Sequence, residues 1–249
     1  MTRVLLLGGT TEASQMAHGL AEAGVDAIFS YAGRTASPAP QPLPVRIGGF
    51  GGVEGLIAYL REAAITHVID ATHPFAARMS RNAVEACAAI GIPLLAFERA
   101  PWTAAEGDDW RAVADITGAV AALPDEPARI FLAIGRQSID AFTMRPQHDY
   151  LLRLVDPPDA VLPLPKATVV IAKGPFTLAG DLALMQAHGI THVVAKNAGG
   201  VGARAKLDAA RARGVPVILI DRPAVPSRPV ASSVDAVMTW LGHPARLGV

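Results

Sequence analysis

Eleven residues in the first half of the chain, Thr66–Ala76, combine an apolar strand with a polar turn that is suited to ligand chemistry. The β-rich run His67–Ile69 passes through a short polar turn to Pro74, which we predict at the first position of a helix. At the carboxyl edge of a parallel sheet, such a turn offers backbone N–H groups to an anionic or carbonyl-bearing ligand. The cofactor-facing residues expected in this turn are Thr72, His73 and Pro74.

His73 is the residue of this turn that can exchange a proton near neutral pH. It stands at the predicted N-cap of the helix that begins at Pro74. The sequence leaves two roles open. His73 either caps the helix and positions a ligand, or it donates a proton in a reaction.

A second candidate site follows the first predicted strand. The apolar run Val4–Leu7 is typical of a parallel strand that is buried on both faces, and helical spacing begins at Met16. The glycine–threonine turn between them can bind phosphate, although a tight turn without a ligand also favours glycine. The residues predicted to bind a dinucleotide here are Gly8, Gly9, Thr10, Thr11 and Glu12.

The second predicted strand, Ala27–Tyr31, ends without the acidic residue that holds the ribose of NAD. The cation Arg34 favours the 2′-phosphate of NADPH, and a solvated loop residue is the alternative reading of Arg34. The third predicted strand, Val45–Ile47, leads into a glycine cluster that lets a ligand approach the backbone. The cofactor residues predicted at these strand ends are Ser30, Gly33, Arg34, Gly48 and Gly49.

The second half of the chain repeats the first at a nearly constant offset. The segment Arg3–Gly8 corresponds to Arg129–Gly135, and the pair Thr66-His67 corresponds to Thr191-His192. We predict strands in the second half at 129–134, 150–154, 168–172, 192–195 and 215–220, with 102–115 connecting the halves.

The repeat predicts an α/β fold of two Rossmann-like parallel-sheet domains, related by internal duplication, with the active-site cleft between them. We expect residues 1–100 to form an NADPH-binding domain and residues 101–249 to form a domain that binds substrate carboxylates.

The corresponding turns of the two halves differ in chemistry. Glycines and threonines of the first half are replaced in the second by cations and amides, which suit a ligand bearing carboxylates. Each cation alone is equally compatible with a solvated surface, but their shared placement at strand ends favours binding. The predicted substrate-binding residues are Arg136, Lys173, Gly174, Lys196, Asn197, Gly199 and Gly200.

Composition excludes several other classes of protein. Lys plus Arg and Asp plus Glu both number 22, so net charge gives no reason to expect nucleic acid or a membrane surface as partner. The single cysteine, Cys87, and the lack of a leader or a span of about 18 apolar residues favour a cytoplasmic protein. The seven histidines form no ligand cluster with Cys87, so we expect no metal. The motifs of α/β-hydrolases and short-chain dehydrogenases are missing.

Taken together, these motifs resemble the precorrin-6A reductase family of cobalamin biosynthesis. The resemblance runs in order through most of the chain and rests on Gly8–Ala13, Ala32–Arg34, Asp70–Ala76, Lys173–Phe176 and Lys196–Gly200. It implies NADPH-dependent reduction of precorrin-6A to precorrin-6B, in which a hydride and a proton add across one double bond of the macrocycle. It also implies a precorrin as the bound partner, with handover of the product to neighbouring pathway enzymes.

The residues themselves are compatible with this substrate. A tetrapyrrole-derived ring carries acetate and propionate groups that cations at strand ends can bind, and its breadth suits a cleft between domains. Three alternatives stay open: a cobalt-containing precorrin, a small carbonyl or imine reduced by NADPH, and a nucleotide-sensing module without catalysis.

Overall fold

The computed structural model describes residues 2–33, 38–158 and 160–242. Its strands are β1 (Arg3–Leu7), β2 (Asp26–Tyr31), β3 (Val45–Ile47), β4 (His67–Asp70), β5 (Leu94–Phe97), β6 (Trp110–Val113), β7 (Arg129–Ala133), β8 (Asp149–Leu154), β9 (Ala167–Ile171), β10 (His192–Lys196), β11 (Val217–Ile220) and β12 (Val230–Ala231). Its α-helices are α1 (Thr11–Glu22), α2 (Val53–Glu62), α3 (Ala77–Ile90), α4 (Ile116–Ala121), α5 (Leu178–Ala187), α6 (Ala205–Arg213) and α7 (Val234–Trp240). A 3₁₀ helix spans Arg136–Met144.

The strands form two parallel sheets of the same design. The order is β12-β5-β4-β1-β2-β3 in the first sheet and β6-β11-β10-β7-β8-β9 in the second. Strands β1 to β5 correspond to β7 to β11, and β12 corresponds to β6, so the two sheets have the same strand order. The predicted α/β fold with two Rossmann-like sheets is therefore confirmed, and the matching topology is consistent with internal duplication.

Strand β1 shows why these runs are apolar throughout. Val4 and Leu6 pack in one cluster with residues of α1 and α7, whereas Leu5 and Leu7 pack in another with residues of α2 and α3. Helices therefore cover both faces of the first sheet, which requires apolar side chains at successive positions. Polar groups are left to the turns at the strand ends, and these turns carry the candidate site residues.

The chain divides into two compact units, one of residues 1–100 with the segment from Ala224 onward, and one of Pro101–Pro223. The predicted connection 102–115 contains an edge strand, β6, in which Trp110 pairs with Val217 of β11. Strand β6 follows β5 of the first sheet along the chain but lies in the second sheet. Strand β12 follows β11 of the second sheet but lies in the first.

The segment from Ala224 onward belongs to the first unit, and not to the domain 101–249 in which we predicted it. Strand β12 extends the first sheet, with Val230 opposite Ala96 of β5, and α7 packs on α1. Gly19 of α1 permits this packing, because a Cβ at that position would lie 2.8 Å from the Val234 side chain. Among the helices described, none combines the length and apolar character needed to cross a bilayer.

Candidate functional site

The turn between β1 and α1 has one glycine that leaves space for a ligand. Gly9 has a φ of +116°, and a Cβ added there would meet no atom within 4 Å. Glycine favours this backbone conformation, and the open space leaves the backbone accessible. Gly8 has a different role, because an added Cβ would lie 2.2 Å from the ring of Phe29. Gly8 is therefore required for core packing, whatever the turn binds.

The Thr10 side chain links two candidate turns. Its Oγ1 accepts a hydrogen bond from the Ala13 N–H at 3.0 Å, which caps α1, and donates to the Ala71 carbonyl at 2.9 Å. Strands β1 and β4 pair in the sheet, so the turns that follow them are adjacent. The Thr10 hydroxyl proton is therefore donated to Ala71, which leaves the backbone N–H groups of the turn as candidate donors to a phosphate.

Glu12 forms an ion pair with Arg99, which follows β5. The two side chains are only 21% and 18% exposed. This guanidinium holds the Glu12 carboxylate, and the predicted contact of Glu12 with the cofactor stays a prediction. Thr11, the first residue of α1, is exposed.

The ends of β2 and β3 are joined by an arginine that the sequence analysis did not identify. Buried Ser30 accepts a hydrogen bond on Oγ from Arg46 Nη1 at 2.9 Å. The same guanidinium donates to the carbonyls of Gly48 and Gly49, at 2.8 and 3.2 Å. Its Cζ lies 3.8 Å from the centroid of the Phe50 ring. In the sequence, the only indication of this role was that Arg46 lies two residues before a glycine cluster. A solvated edge strand can show the same pattern.

Gly33 lies beside this arginine cluster. It has a φ of +73°, and a Cβ added to it would lie 3.6 Å from the backbone of Gly48. The loops that follow β2 and β3 are therefore in contact. Arg34, which we predicted to bind the 2′-phosphate, lies outside the described residues, so its role stays a prediction.

Asp70 fixes the start of the turn after β4. It is buried, and its Oδ1 accepts hydrogen bonds from the Thr72 N–H at 3.2 Å and the Thr72 hydroxyl at 2.7 Å. Its Oδ2 has no hydrogen-bond partner within the described part of the chain. The Thr72 hydroxyl, predicted to face the cofactor, is thus engaged by the strand that precedes it.

The His73 turn differs from the prediction. Helix α3 begins at Ala77, and Pro74 instead occupies the second position of a turn in which the Ala76 N–H donates to the His73 carbonyl at 2.7 Å. The fixed φ of proline suits that turn position as well as a helix start. The Phe75 N–H donates to His73 Nδ1 at 3.2 Å, so the neutral ring carries its proton on Nε2. His73 is exposed and does not cap α3.

Three predicted substrate cations follow strands of the second sheet. Arg136 begins the 3₁₀ helix after β7, Lys173 follows β9, and Lys196 is the last residue of β10. Because these strands are parallel, all three residues lie at the carboxyl edge of the sheet, where ligands bind in such folds. Arg136 and Lys173 are exposed, and Lys196 is half-buried.

The loop after β10 is organised around Trp102. Asn197 is buried, accepts the Trp102 N–H on Oδ1 at 2.8 Å, and donates from Nδ2 to the Trp102 carbonyl at 3.0 Å. The Asn197 side chain therefore has a structural role in this loop, and its predicted substrate contact stays a prediction. Gly199 and Gly200 have φ values of +71° and +72°, and the Gly200 carbonyl accepts from Trp102 Nε1 at 2.7 Å.

A buried ion pair, also missed from the sequence, restrains the loop after β9. Arg153 of β8 pairs with Asp181 of α5, and their side chains are 8% and 3% exposed. The Arg153 guanidinium lies 3.6 Å from the centroid of the Phe176 ring. Phe176 belongs to the same loop as the predicted substrate residues Lys173 and Gly174, so this pair limits where those residues can lie. In the sequence, the only indication of this pair was Asp181, an acidic residue in the first turn of a largely apolar helix.

Metal and thiol chemistry receive no support from the described residues. They contain no group of three or more His, Cys, Asp or Glu residues placed to hold a metal ion. Burial, with a smaller contribution from the charge of Asp70, raises the pKa of the Cys87 thiol to about 12. Cys87 is therefore a protonated core residue at neutral pH, and not a nucleophile.

The fold and site define a two-unit, Rossmann-like α/β protein with an open glycine turn in one unit and a cationic sheet edge in the other. The family model for the precorrin-6x reductase CbiJ/CobK matches residues 3–242. The precorrin-6A reductase of Rhodobacter capsulatus is 64% identical over 241 residues, which cover 97% of this chain and 96% of that protein. This chain therefore belongs to the CbiJ/CobK precorrin-6x reductase family.

Other relatives span the chain equally well. The precorrin-6A reductase of Rhodococcus erythropolis is 46% identical, with 97% of this chain and 98% of that protein covered. The cobalt-precorrin-6A reductase of Priestia megaterium is 30% identical, with 98% and 99% covered. A solved structure described as CobK precorrin-6A reductase is 63% identical, has a TM-score of 0.95 and covers 99% of both chains.

Proposed function

We propose that this protein reduces precorrin-6A to precorrin-6B with NADPH, as a step of cobalamin biosynthesis. The observation that carries the proposal is a family match that includes both the glycine turn of the first unit and the cationic edge of the second. Identity of 64% along nearly the whole chain to a protein named precorrin-6A reductase supports the same reaction.

The first unit fits a nicotinamide dinucleotide. The backbone at Gly9 is open to a ligand, and the N-terminus of α1 directs N–H groups at the same place, which suits a pyrophosphate. Arg46 and Ser30 supply a cation and a hydroxyl near the end of β2, where the adenosine ribose lies in such folds. When bound, NADPH supplies the hydride.

The second unit binds the substrate in this proposal. Acetate and propionate groups on the macrocycle are anionic at neutral pH, and a guanidinium or ammonium group binds them through charge-assisted hydrogen bonds. Three cations at one sheet edge provide several such contacts to a broad ring: Arg136, Lys173 and Lys196.

His73 lies at the nicotinamide end of the first unit in this proposal. Its turn follows β4, which pairs with β1, and the bond from Thr10 to Ala71 connects it to the proposed pyrophosphate turn. The Nε2–H of a neutral His73 can hold a ligand oxygen in place. The alternative role is donation of the proton from His73 to the substrate.

The relatives favour a macrocycle without cobalt. Proteins named precorrin-6A reductase are 64%, 46% and 42% identical to this chain, whereas proteins named cobalt-precorrin-6A reductase are 30% and 27% identical. We infer that precorrin-6A is reduced in preference to its cobalt complex.

Anaerobic assays with matched substrates test the proposal. Purified protein and NADPH are mixed with precorrin-6A, with cobalt-precorrin-6A, or with a panel of small imines and carbonyls, and loss of NADPH absorbance is followed. We expect turnover with precorrin-6A and a product heavier by two hydrogen atoms. Turnover of small substrates alone would indicate another reductase, and NADPH binding without any turnover would indicate a nucleotide sensor.

A further inference from the structure

Arg46 carries a positive charge that no carboxylate within the described residues neutralises. The side chain is half-buried, and its hydrogen-bond acceptors are uncharged oxygens of Ser30, Gly48 and Gly49. Burial lowers the pKa of Arg46, but a guanidinium stays protonated in proteins. Strand β3 therefore carries a fixed positive charge in a partly desolvated place, where an anion would be bound strongly.

The second unit provides an internal comparison. Arg153 stacks on Phe176 as Arg46 stacks on Phe50, with Cζ 3.6 and 3.8 Å from the respective ring centroids. The charge of Arg153 is neutralised by the buried carboxylate of Asp181. The arginine that supports the loop after β9 thus has a carboxylate partner. Arg46 has the same stacking without that partner, which points to a counter-charge supplied by a ligand.

The position of Arg46 corresponds to the ribose end of a dinucleotide. Ser30 lies near the end of β2, pairs with Arg46 across the sheet, and receives a hydrogen bond on its carbonyl from the Gly8 N–H at 2.9 Å. In Rossmann-like units the 2′ group of the adenosine ribose lies at the end of the second strand. The predicted pyrophosphate turn and Arg46 are therefore connected through one residue, Ser30.

The remaining donors of this cluster suit a phosphate. Nη1 of Arg46 uses both of its hydrogens and Nη2 uses one, so Nε–H and the second Nη2–H have no acceptor among the described residues. In a guanidinium, Nε–H and the Nη2–H on the same side form a fork that can bind a phosphate with two parallel hydrogen bonds. The O–H of Ser30 likewise donates to none of the described acceptors.

We propose that Arg46 selects NADPH over NADH, with its guanidinium fork and the Ser30 hydroxyl bound to the 2′-phosphate. This inference rests on the proposed use of a nicotinamide dinucleotide by the first unit. The phosphate supplies the counter-charge that the protein lacks at this place. The 2′-hydroxyl of NADH carries no charge and leaves Arg46 uncompensated, so the discrimination is electrostatic.

Binding measurements test the assignment without catalytic turnover. Dissociation constants for NADPH and NADH are measured by titration calorimetry for the wild type, Arg46→Met and Arg46→Lys. We expect Arg46→Met to weaken NADPH by about tenfold to hundredfold, the value of a charge-assisted contact, and to change NADH by less than about twofold. Arg46→Lys keeps the charge without the fork, so we expect its affinity for NADPH to lie between those of the wild type and Arg46→Met. Adenosine 2′,5′-bisphosphate and adenosine 5′-monophosphate, used as competitors, should reproduce the NADPH and NADH patterns.

The controls distinguish a role of Arg46 in selecting NADPH from a role in supporting the glycine loop. Arg61→Met, at an exposed position in the last turn of α2, should leave both affinities unchanged. Equal losses for NADPH and NADH in Arg46→Met would show that Arg46 only holds the glycine loop, and an unchanged preference would equally overturn the assignment. If the wild type binds neither nucleotide, the proposed function itself fails, and with it this inference.

Discussion

At the residue scale, His73 is held by its own turn and not by a helix. The Phe75 N–H donates to Nδ1 two residues back in the chain, which is the contact that an Asn side chain makes in an Asx turn. We expect His73→Asn to preserve the turn and retain most of the single-turnover rate of hydride transfer. We expect His73→Ala to lose rate because it removes both this contact and the Nε2–H. Rapid mixing of enzyme, NADPH and precorrin-6A measures both rates.

The two variants also distinguish the alternative role. Asn has no acidic proton to give, so a proton donor at this position cannot be replaced by it. A loss of about 10²-fold or more in both variants, the usual range for acid catalysis, would show that His73 protonates the substrate. Unchanged rates in both would place His73 outside the site.

The cations of the second sheet edge make a separate prediction. We expect Lys173→Ala, Lys196→Ala and Arg136→Ala each to raise KM for precorrin-6A about tenfold, since each removes a charge-assisted contact of about 1–2 kcal/mol. The affinity for NADPH should stay the same, and steady-state kinetics with a parallel binding titration measure both. Lys166→Ala is the matched control, because Lys166 precedes β9 and so lies at the amino edge of the same sheet. A fall in NADPH affinity would contradict the proposed division of labour between the units.

The sequence did not indicate the protein partners of the polar side chains in the predicted ligand turns. Thr10, Glu12 and Asn197 all lie in predicted ligand turns, yet their side chains bind Ala71, Arg99 and Trp102 respectively. The same polar residue types stabilise a turn and bind a ligand, so type and position alone do not separate the two uses.

At the element scale, the Arg153–Asp181 ion pair joins β8 to α5 in a nearly dry environment. We expect Asp181→Asn to lower the free energy of unfolding by about 3 kcal/mol, because it leaves a buried guanidinium without a counter-charge. Denaturant unfolding of the wild type and the variant measures the change.

Two further variants test whether burial of the ion pair causes this loss of unfolding free energy. The double replacement Arg153→Met with Asp181→Leu removes both charges and should cost less than Asp181→Asn alone. Asp208→Asn breaks the more exposed Arg204–Asp208 pair on α6 and should cost less than about 1 kcal/mol. Equal losses from Asp208→Asn and Asp181→Asn would contradict this account of the β8–α5 contact.

Elements with buried apolar runs were predictable, and those defined by distant partners were not. Strands such as β1 and β11 are apolar because helices cover both faces of the sheet. The edge strand β6 has the partly polar pattern WRAV and is stabilised by pairing with β11, about a hundred residues later, so the sequence around it indicated only a connection. Arg46 was missed for a related reason, because its partner Ser30 lies on the neighbouring strand.

At the scale of the whole molecule, buried histidines predict loss of stability in acid. His148 is fully buried, its Nδ1 accepts from the Ala128 N–H at 3.1 Å, and its Nε2 has no partner among the described residues. Burial, together with the charge of Arg145, lowers the pKa of His148 below its ordinary value of 6.5. Burial also lowers the pKa values of His67 and His192.

The sign of the pH effect follows from these shifts. Below pH 6.5 the unfolded chain binds protons at these histidines while the folded protein does not, so stability is full above 6.5 and falls as the pH drops toward the folded pKa. We expect His148→Gln to reduce the slope of unfolding free energy against pH between about 5 and 6.5. A wild-type stability that rises as the pH falls through this range would contradict the prediction.

The central claim is that this protein transfers a hydride from NADPH to a precorrin ring, and isotope transfer tests it most directly. Precorrin-6A is reduced in ordinary water with NADPH that carries deuterium at both hydrogens of the nicotinamide C4, and the product is analysed by mass spectrometry. We predict a product with one deuterium from the cofactor and one proton from solvent. A reduced product without deuterium, or no reduction of precorrin-6A by the folded, NADPH-bound protein, would contradict the claim.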